Sequence, residues 1–301
     1  MRCFLASPDG RDTAVVINEY GAVGIDDALI RDSADEITLL GNGCLCCNTR
    51  SDLQNALRRL VAESARGAVP AFARIVIETS GLADPGPILQ TFSTDRALGG
   101  EFFVEVVLAV VGAVGGLDTL GWSAEARKQA ILADRLVISK TDLAEPPAIE
   151  RLRERLRALN PRAAITTAVA GEIEPRWLIE AANEETRADR SGFVAEAEHS
   201  DGILSFVWTD DTPLPWDAFA RAMETLMALR GPDLLRVKGF LNVAGCRGPV
   251  LVQFVQHLAH PPVEFTAWPD ADHTSRLVFI TRNISEQQVR GLLASVRALA
   301  T

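Results

Sequence analysis

Arg74-Ile75-Val76-Ile77-Glu78-Thr79-Ser80-Gly81 is an unbroken β-branched run that ends in an acid and, three residues on, a glycine. A strand with no polar alternation belongs in a sheet covered on both faces, the mark of a parallel α/β architecture. Thr13-Ala14-Val15-Val16-Ile17 before it and Arg135–Ser139 after it have the same character, and Glu36–Leu40 and Val104–Val111 read as further strands. Between them, Asp52–Ala65 repeats Leu53, Ala56, Leu57, Leu60 and Val61 at helical spacing. Helices are also expected over Ser123–Ala133 and from about Ala148 to Leu159. Residues 1–6 resemble the end of an apolar helix with no N-cap before it, followed by the turn Ser7-Pro8-Asp9-Gly10. To about residue 170 the pattern predicts α/β with a largely parallel sheet.

The grammar then changes. Ala181–Asp201 is polar, acidic and weakly periodic, as a linker is. Beyond it Ile203–Thr209, Leu234–Val243, Val250–Leu258 and Arg276–Thr281 read as strands, and Pro215–Leu229 and Ser285–Leu299 as helices. Strands grouped between helices predict a smaller α+β domain with a mostly antiparallel sheet. The expected division is 1–182, a linker over 183–201, and 202–301.

Composition narrows the function. The 301 residues are 48% hydrophobic and 23% charged, with 30 basic against 40 acidic residues and a net charge of −10. That acidity argues against a nucleic-acid partner. No apolar run reaches the roughly 18 residues of a membrane-spanning helix, and Pro8 and Asp9 interrupt the start before a signal peptide could form. A cytoplasmic protein without a membrane partner is expected. Of five cysteines, Cys44, Cys46 and Cys47 fall within four positions, too close to bridge one another easily, so in a reducing compartment they are thiols.

Three segments carry chemistry. Gly41-Asn42-Gly43-Cys44-Leu45-Cys46-Cys47 places three thiolates on a glycine-rich turn. They can converge on one soft or borderline cation, with a fourth ligand from elsewhere, and such an incomplete shell suits transfer better than permanent structure. Small buried turn residues and a redox-sensing thiol pair are the other readings of the same cluster. Glu78 and Gly81 have the form of a Walker B segment, in which the carboxylate orders Mg²⁺ or its water and the glycine amide meets a γ-phosphate; many parallel strands also simply end in an acid. Ser139-Lys140-Thr141-Asp142 resembles the guanine-reading N-K-x-D motif, in which the Asp accepts from the N1 and N2 edge and the Lys stem covers the ring. Ser139 in place of Asn supplies one hydrogen bond rather than a carboxamide's pair.

Order and spacing add to this. Asn18-Glu19-Tyr20-Gly21-Ala22-Val23-Gly24-Ile25-Asp26, the C-x-C-C, Glu78–Pro85 and Ser139–Asp142 together resemble the CobW-type P-loop GTPases, which are associated with metal delivery and metalloprotein maturation. Leu235–Phe240 and Leu277–Ile280 resemble that family's C-terminal domain, so the resemblance covers nearly the whole chain. It implies Cys44, Cys46 and Cys47 as metal thiolates for Zn²⁺ or for Co²⁺, Ni²⁺ or Fe²⁺. It implies Glu78 and Gly81 at Mg²⁺ and the γ-phosphate, and Ser139, Lys140 and Asp142 around guanine. Asn18 to Asp26 is implied as a switch segment that couples GTP state to the metal loop. The implied partners are a client metalloprotein or metal-insertion enzyme and a second copy of the chain.

The departures are specific. No Gly-Lys-Ser or Gly-Lys-Thr of a Walker A loop occurs, and the only lysines are Lys128, Lys140 and Lys238. That loop cradles the phosphates, so nucleotide affinity and hydrolysis are expected to be impaired. The reading frame is expected to begin about twenty to thirty residues upstream of Met1, a truncated relative being the other reading. Ala22 and Gly112 stand where many relatives carry Glu and Asp. His257, His260 and His273 are expected as surface or packing residues, Cys246 as a loop thiol, and Cys3 as packed within the first helix. The alternative function is a non-enzymatic module that buffers metal or binds a client without GTP.

Overall fold

The computed structural model describes residues 1–18, 50–179, 202–255, 258–268 and 271–299. They fall into two compact units: one of Met1–Thr91, Val104–Arg157 and Arg162–Ala188, the other of Phe92–Phe103, Ala158–Pro161 and Asp189–Thr301.

In the first unit, β1 (Thr13–Asn18) pairs in parallel with β2 (Arg74–Thr79), Thr13 opposite Arg74 and Asn18 opposite Thr79. A second parallel sheet has the order β3 (Leu108–Gly112), β4 (Arg135–Ser139), β5 (Ala164–Ala168). The strands thus form two parallel sheets among the described residues rather than one, because β2 and β3 share no ladder. The consequence shows in burial. Leu136, Val137 and Ile138 of the central β4 are at most 2% exposed, whereas Leu108 and Val110 of β3 are 40% and 63% exposed. Predicted strand Glu36–Leu40 lies outside the described residues.

Helices alternate with these strands along the chain, and Arg96–Glu101 among them belongs to the second unit. Those that follow α1 (Arg2–Leu5) begin with α2 (Arg50–Ala65), which buries Leu53, Ala56, Leu57 and Leu60. Next come α3 (Pro85–Thr94), α4 (Arg96–Glu101), α5 (Gly116–Trp122) and α6 (Ala124–Leu132). Ser123 caps α6 by accepting the Ala126 N–H at 3.0 Å. α7 (Pro146–Leu159) buries Leu152 and Leu156, and α8 (Pro175–Ile179) follows β5. The start of the chain is fastened to β2: the Arg74 guanidinium lies over the Phe4 ring and donates to the Asp9 carbonyl at 3.0 Å. Phe4, not Cys3, is the packing residue of α1, since Cys3 is exposed; Cys3 points off the buried face of a single short turn.

The second unit holds an antiparallel sheet ordered β10 (Val263–Glu264), β8 (Val250–Val255), β7 (Arg236–Leu241), β11 (Ser275–Arg282), β6 (Ile203–Asp210). The predicted strand 250–258 is divided: β9 (Leu258–Ala259) doubles back on β8, with Leu258 opposite Val255. One sheet face packs Phe206, Val237, Val252, Leu277 and Phe279 with residues of α9 (Trp216–Arg230) and α10 (Glu286–Leu299). Phe206 and Phe279 are register partners whose rings stack at 5.3 Å. Gly239 must be glycine, because a Cβ there would lie 2.0 Å from the Arg276 carbonyl oxygen. Among the described residues no helix is long and apolar enough to cross a membrane.

Candidate functional site

Parallel sheets bind ligands beyond the carboxyl ends of their strands, where loops leave side chains unpaired. β2 delivers Glu78 to such an end, exposed and without a hydrogen-bond or ion-pair partner among the described residues. The backbone of Asn18, at the same end of β1, lies in register with Thr79.

After β2 the chain turns tightly. The Ala83 N–H donates to the Ser80 carbonyl at 3.0 Å and the Leu82 N–H to Ser80 Oγ at 3.3 Å. α6 holds this turn from outside: Gln129 Nε2 donates to the Gly81 carbonyl at 3.0 Å and to the Ala83 carbonyl at 2.8 Å. Its neighbour Lys128 places Nζ 2.6 Å from Asp84 Oδ2, and Asp84 Oδ1 accepts the Gly86 N–H at 2.8 Å.

At the end of β4, Ser139 is half-buried and its carbonyl accepts the Ala113 N–H at 2.8 Å. Lys140 adopts a left-handed backbone, φ 57° and ψ 38°. That conformation costs a non-glycine residue about 1–3 kcal/mol. It turns the chain into the short helical turn Thr141–Leu143, where the Leu143 N–H donates to the Lys140 carbonyl. Lys140 and Asp142 are both exposed and unpaired among the described residues, and Thr141 Oγ1 donates to the Ala168 carbonyl at 3.4 Å, which brings the exit of β5 alongside. There Ala170 and Gly171 carry φ of 50° and 80°.

The two sheet ends therefore supply a free carboxylate from one sheet and a lysine–aspartate turn from the other. A carboxylate at a strand tip can order a hydrated cation, and an exposed aspartate in a tight turn can accept a pair of donors from a planar base. Cys44, Cys46, Cys47 and Asp26 lie outside the described residues. Among the described residues no group of three or more His, Cys, Asp or Glu is placed to hold a metal. Cys246 is a half-buried loop thiol beside the second unit's core, and desolvation, followed by the nearby Glu264 carboxylate, raises its pKa.

The histidines divide. His273 is exposed and stacks on Trp268 at 4.7 Å, and His257 and the linker's His199 lie outside the described residues. His260 is buried, with neither ring nitrogen hydrogen-bonded among the described residues, and burial and the nearby Arg236 push its pKa down to about 4. Reading the sequence alone missed β5, its left-handed exit, and the Lys128–Gln129 clamp. A strand expectation for Ala164–Ala168 before Ala170-Gly171 was the signal available for β5; no local pattern marks the clamp.

Residues 1–167 match the family model for the CobW/HypB/UreG nucleotide-binding domain, and residues 203–297 match that for the cobalamin synthesis protein cobW C-terminal domain. The chain belongs to the CobW family. It is 34% identical, over 99% of its length and 93% of the relative's, to the zinc chaperone YjiA of Escherichia coli K12. The zinc-regulated GTPase metalloprotein activator 1 of Schizosaccharomyces pombe is 30% identical over 58% of this chain and 43% of that protein. The crystal structure of Zn(II)-bound YjiA GTPase from E. coli superposes with a TM-score of 0.64 at 27% identity, covering 95% of this chain and 98% of that one. The CobW assignment agrees with the architecture above: parallel sheets in the first half and an antiparallel sheet in the second.

Proposed function

We propose that this CobW-family protein is a zinc-binding metallochaperone whose metal loop is coupled to guanine nucleotide. The observation that carries the reading is the C-x-C-C at Cys44–Cys47 in a chain similar, along 99% of its length, to a protein named a zinc chaperone. Cys44, Cys46 and Cys47 supply thiolates, and zinc takes a fourth ligand from water or from the receiving protein, so the ion stays exchangeable. Zinc is preferred here over cobalt, nickel or iron on the relatives' names alone; thiolates by themselves do not choose.

On the nucleotide side, Lys140 and Asp142 would hold guanine, with Ser139 at the strand end before them and Asn18 to Asp26 as the responsive segment. Glu78 and Gly81 would face Mg²⁺ and the terminal phosphate. The unpaired carboxylate of Glu78 fits a hydrated Mg²⁺, which when bound would neutralise phosphate charge. The 301 residues contain no Gly-Lys-Ser or Gly-Lys-Thr phosphate loop, however, so GTP is expected to bind weakly and turn over slowly in this chain. That absence is the specific observation favouring a second reading, a module that carries metal to a client without GTP hydrolysis.

Zinc titration of the purified protein against Cys44→Ser and Cys46→Ser tests the first claim. Each substitution is expected to weaken zinc at least tenfold, because a thiolate ligand is replaced by a poor one, and unchanged affinity in both would remove the metal reading. GTP against ATP binding in Asp142→Ala tests the second: guanine preference is expected to vanish.

A further inference from the structure

The clamp between α6 and the turn after β2 has a consequence for the chemistry of Gly81. The Ser80 carbonyl accepts the Ala83 N–H. The Ser80–Gly81 peptide is trans, so its plane is set by that bond and the Gly81 N–H points away from the turn. That N–H has no partner among the described residues, and beyond its chain neighbours no heavy atom lies within 4 Å of where a Gly81 Cβ would sit. It is a bare donor three residues on from the exposed Glu78.

The turn does not hold itself. Both hydrogens of the Gln129 carboxamide are used on its carbonyls, Gly81 at 3.0 Å and Ala83 at 2.8 Å, on either side of Leu82, whose side chain is 65% exposed. Lys128 fixes the far end through Asp84 at 2.6 Å, and Asp84 also bonds the first turn of α3. Even Gly86 conforms: a Cβ there would lie 3.2 Å from Asp84 Oδ1 and 3.5 Å from Lys128 Nζ, crowding the ion pair. Two consecutive residues of one helix thus fix the polar groups of a loop 44 to 48 residues earlier in the chain.

We propose that Gln129, assisted by Lys128, is a positioning residue that holds the Ser80–Asp84 turn so that the Gly81 N–H is presented to an anionic oxygen. This rests on the nucleotide reading above for the identity of the anion, the terminal phosphate of GTP. Gln129 itself touches no ligand; it fixes the Gly81–Leu82 and Ala83–Asp84 peptides, and through them the turn whose Ser80–Ala83 hydrogen bond orients the Gly81 N–H. It also makes the turn sensitive to α6, so a movement of that helix would withdraw the donor.

Hydrogen–deuterium exchange on the full 301-residue protein, without nucleotide, reads the holding directly. Gln129→Met keeps the length and loses both donors. The amides of Leu82, Ala83 and Gly86 are expected to exchange about tenfold faster, with the second unit unchanged, as loss of two hydrogen bonds of about 1 kcal/mol each allows. Gln129→Glu has the same shape but aims carboxylate oxygens at two carbonyls, and is expected to accelerate exchange at least as much. Wild-type exchange in both variants would overturn the proposal. The presentation of Gly81 is read by the binding preference for a non-hydrolysable GTP analogue over GDP, which Gln129→Met is expected to lower about tenfold. Faster exchange with that preference intact would also overturn it. A wild-type protein that does not distinguish the analogue from GDP refutes the nucleotide reading in the wild type alone, and so is separate from any failure of the clamp.

Discussion

The parallel and antiparallel sheets of this protein are built from similar apolar strands but finish differently. In the antiparallel sheet the strands are paired from β10 to β6, and Leu277 and Phe279 are fully buried against two helices. Among the described residues of the first unit the parallel ladder is divided, Val110 is 63% exposed, and Glu78, Lys140 and Asp142 stand unpaired at the strand ends. Closed pairing stabilises the second unit; the exposed charges at the strand ends of the first are where the proposed ligands would bind. The contrast is the expected division of labour between a region selected for packing and a region selected for ligands.

The largest way to break this comparison is at Phe279. Its ring is fully buried and stacked on Phe206, so Phe279→Ala is expected to cost about 4 kcal/mol from lost burial and the cavity left behind. Urea denaturation followed by Trp208 and Trp216 would show it as a lower midpoint. A loss below about 1 kcal/mol would mean that the antiparallel core is not what stabilises this unit.

The next effect is in pH. His260 sits neutral beside Arg236, with its pKa lowered from 6.5 to about 4. The unfolded chain binds a proton as the pH falls through 6.5, and the native chain resists until about 4. The stability contributed by the neutral ring is therefore fully present above 6.5 and is lost progressively down to about 4, by about 3 kcal/mol. The expected result is a steeper loss between pH 7 and 4 in the wild type than in His260→Leu, measured by urea midpoints. Parallel pH profiles would place a proton or a polar partner on His260 in solution.

How far the sequence could be read follows from the same physics. β1, β2 and β4 were legible because strands covered on both faces carry uninterrupted apolar runs. β5, Ala164-Ile165-Thr166-Thr167-Ala168, has two threonines and small ends, and its place comes from register with β4. The helices over 85–101 were hidden by Pro85-Gly86-Pro87 and Gly99-Gly100, although proline suits a helix start and Gly99 is needed where a Cβ would meet the Phe92 carbonyl oxygen at 2.4 Å. Of the site, Glu78 and Ser139–Asp142 were legible because strand-end chemistry is local in sequence. Lys128 and Gln129 were not, since what they do depends on a loop distant in the chain.

The smallest effect sharpens the comparison most. Val110→Thr exchanges a methyl for a hydroxyl on a strand residue that is 63% exposed. In a buried strand the unpaired hydroxyl would cost about 1–3 kcal/mol; on an exposed one the change is expected to stay within about 0.5 kcal/mol. The corresponding change at Val137, 2% exposed in the neighbouring strand, is expected to show the full buried cost. Equal costs at the two positions would mean that β3 is covered in solution, and its exposed face would then be an interface rather than a free surface.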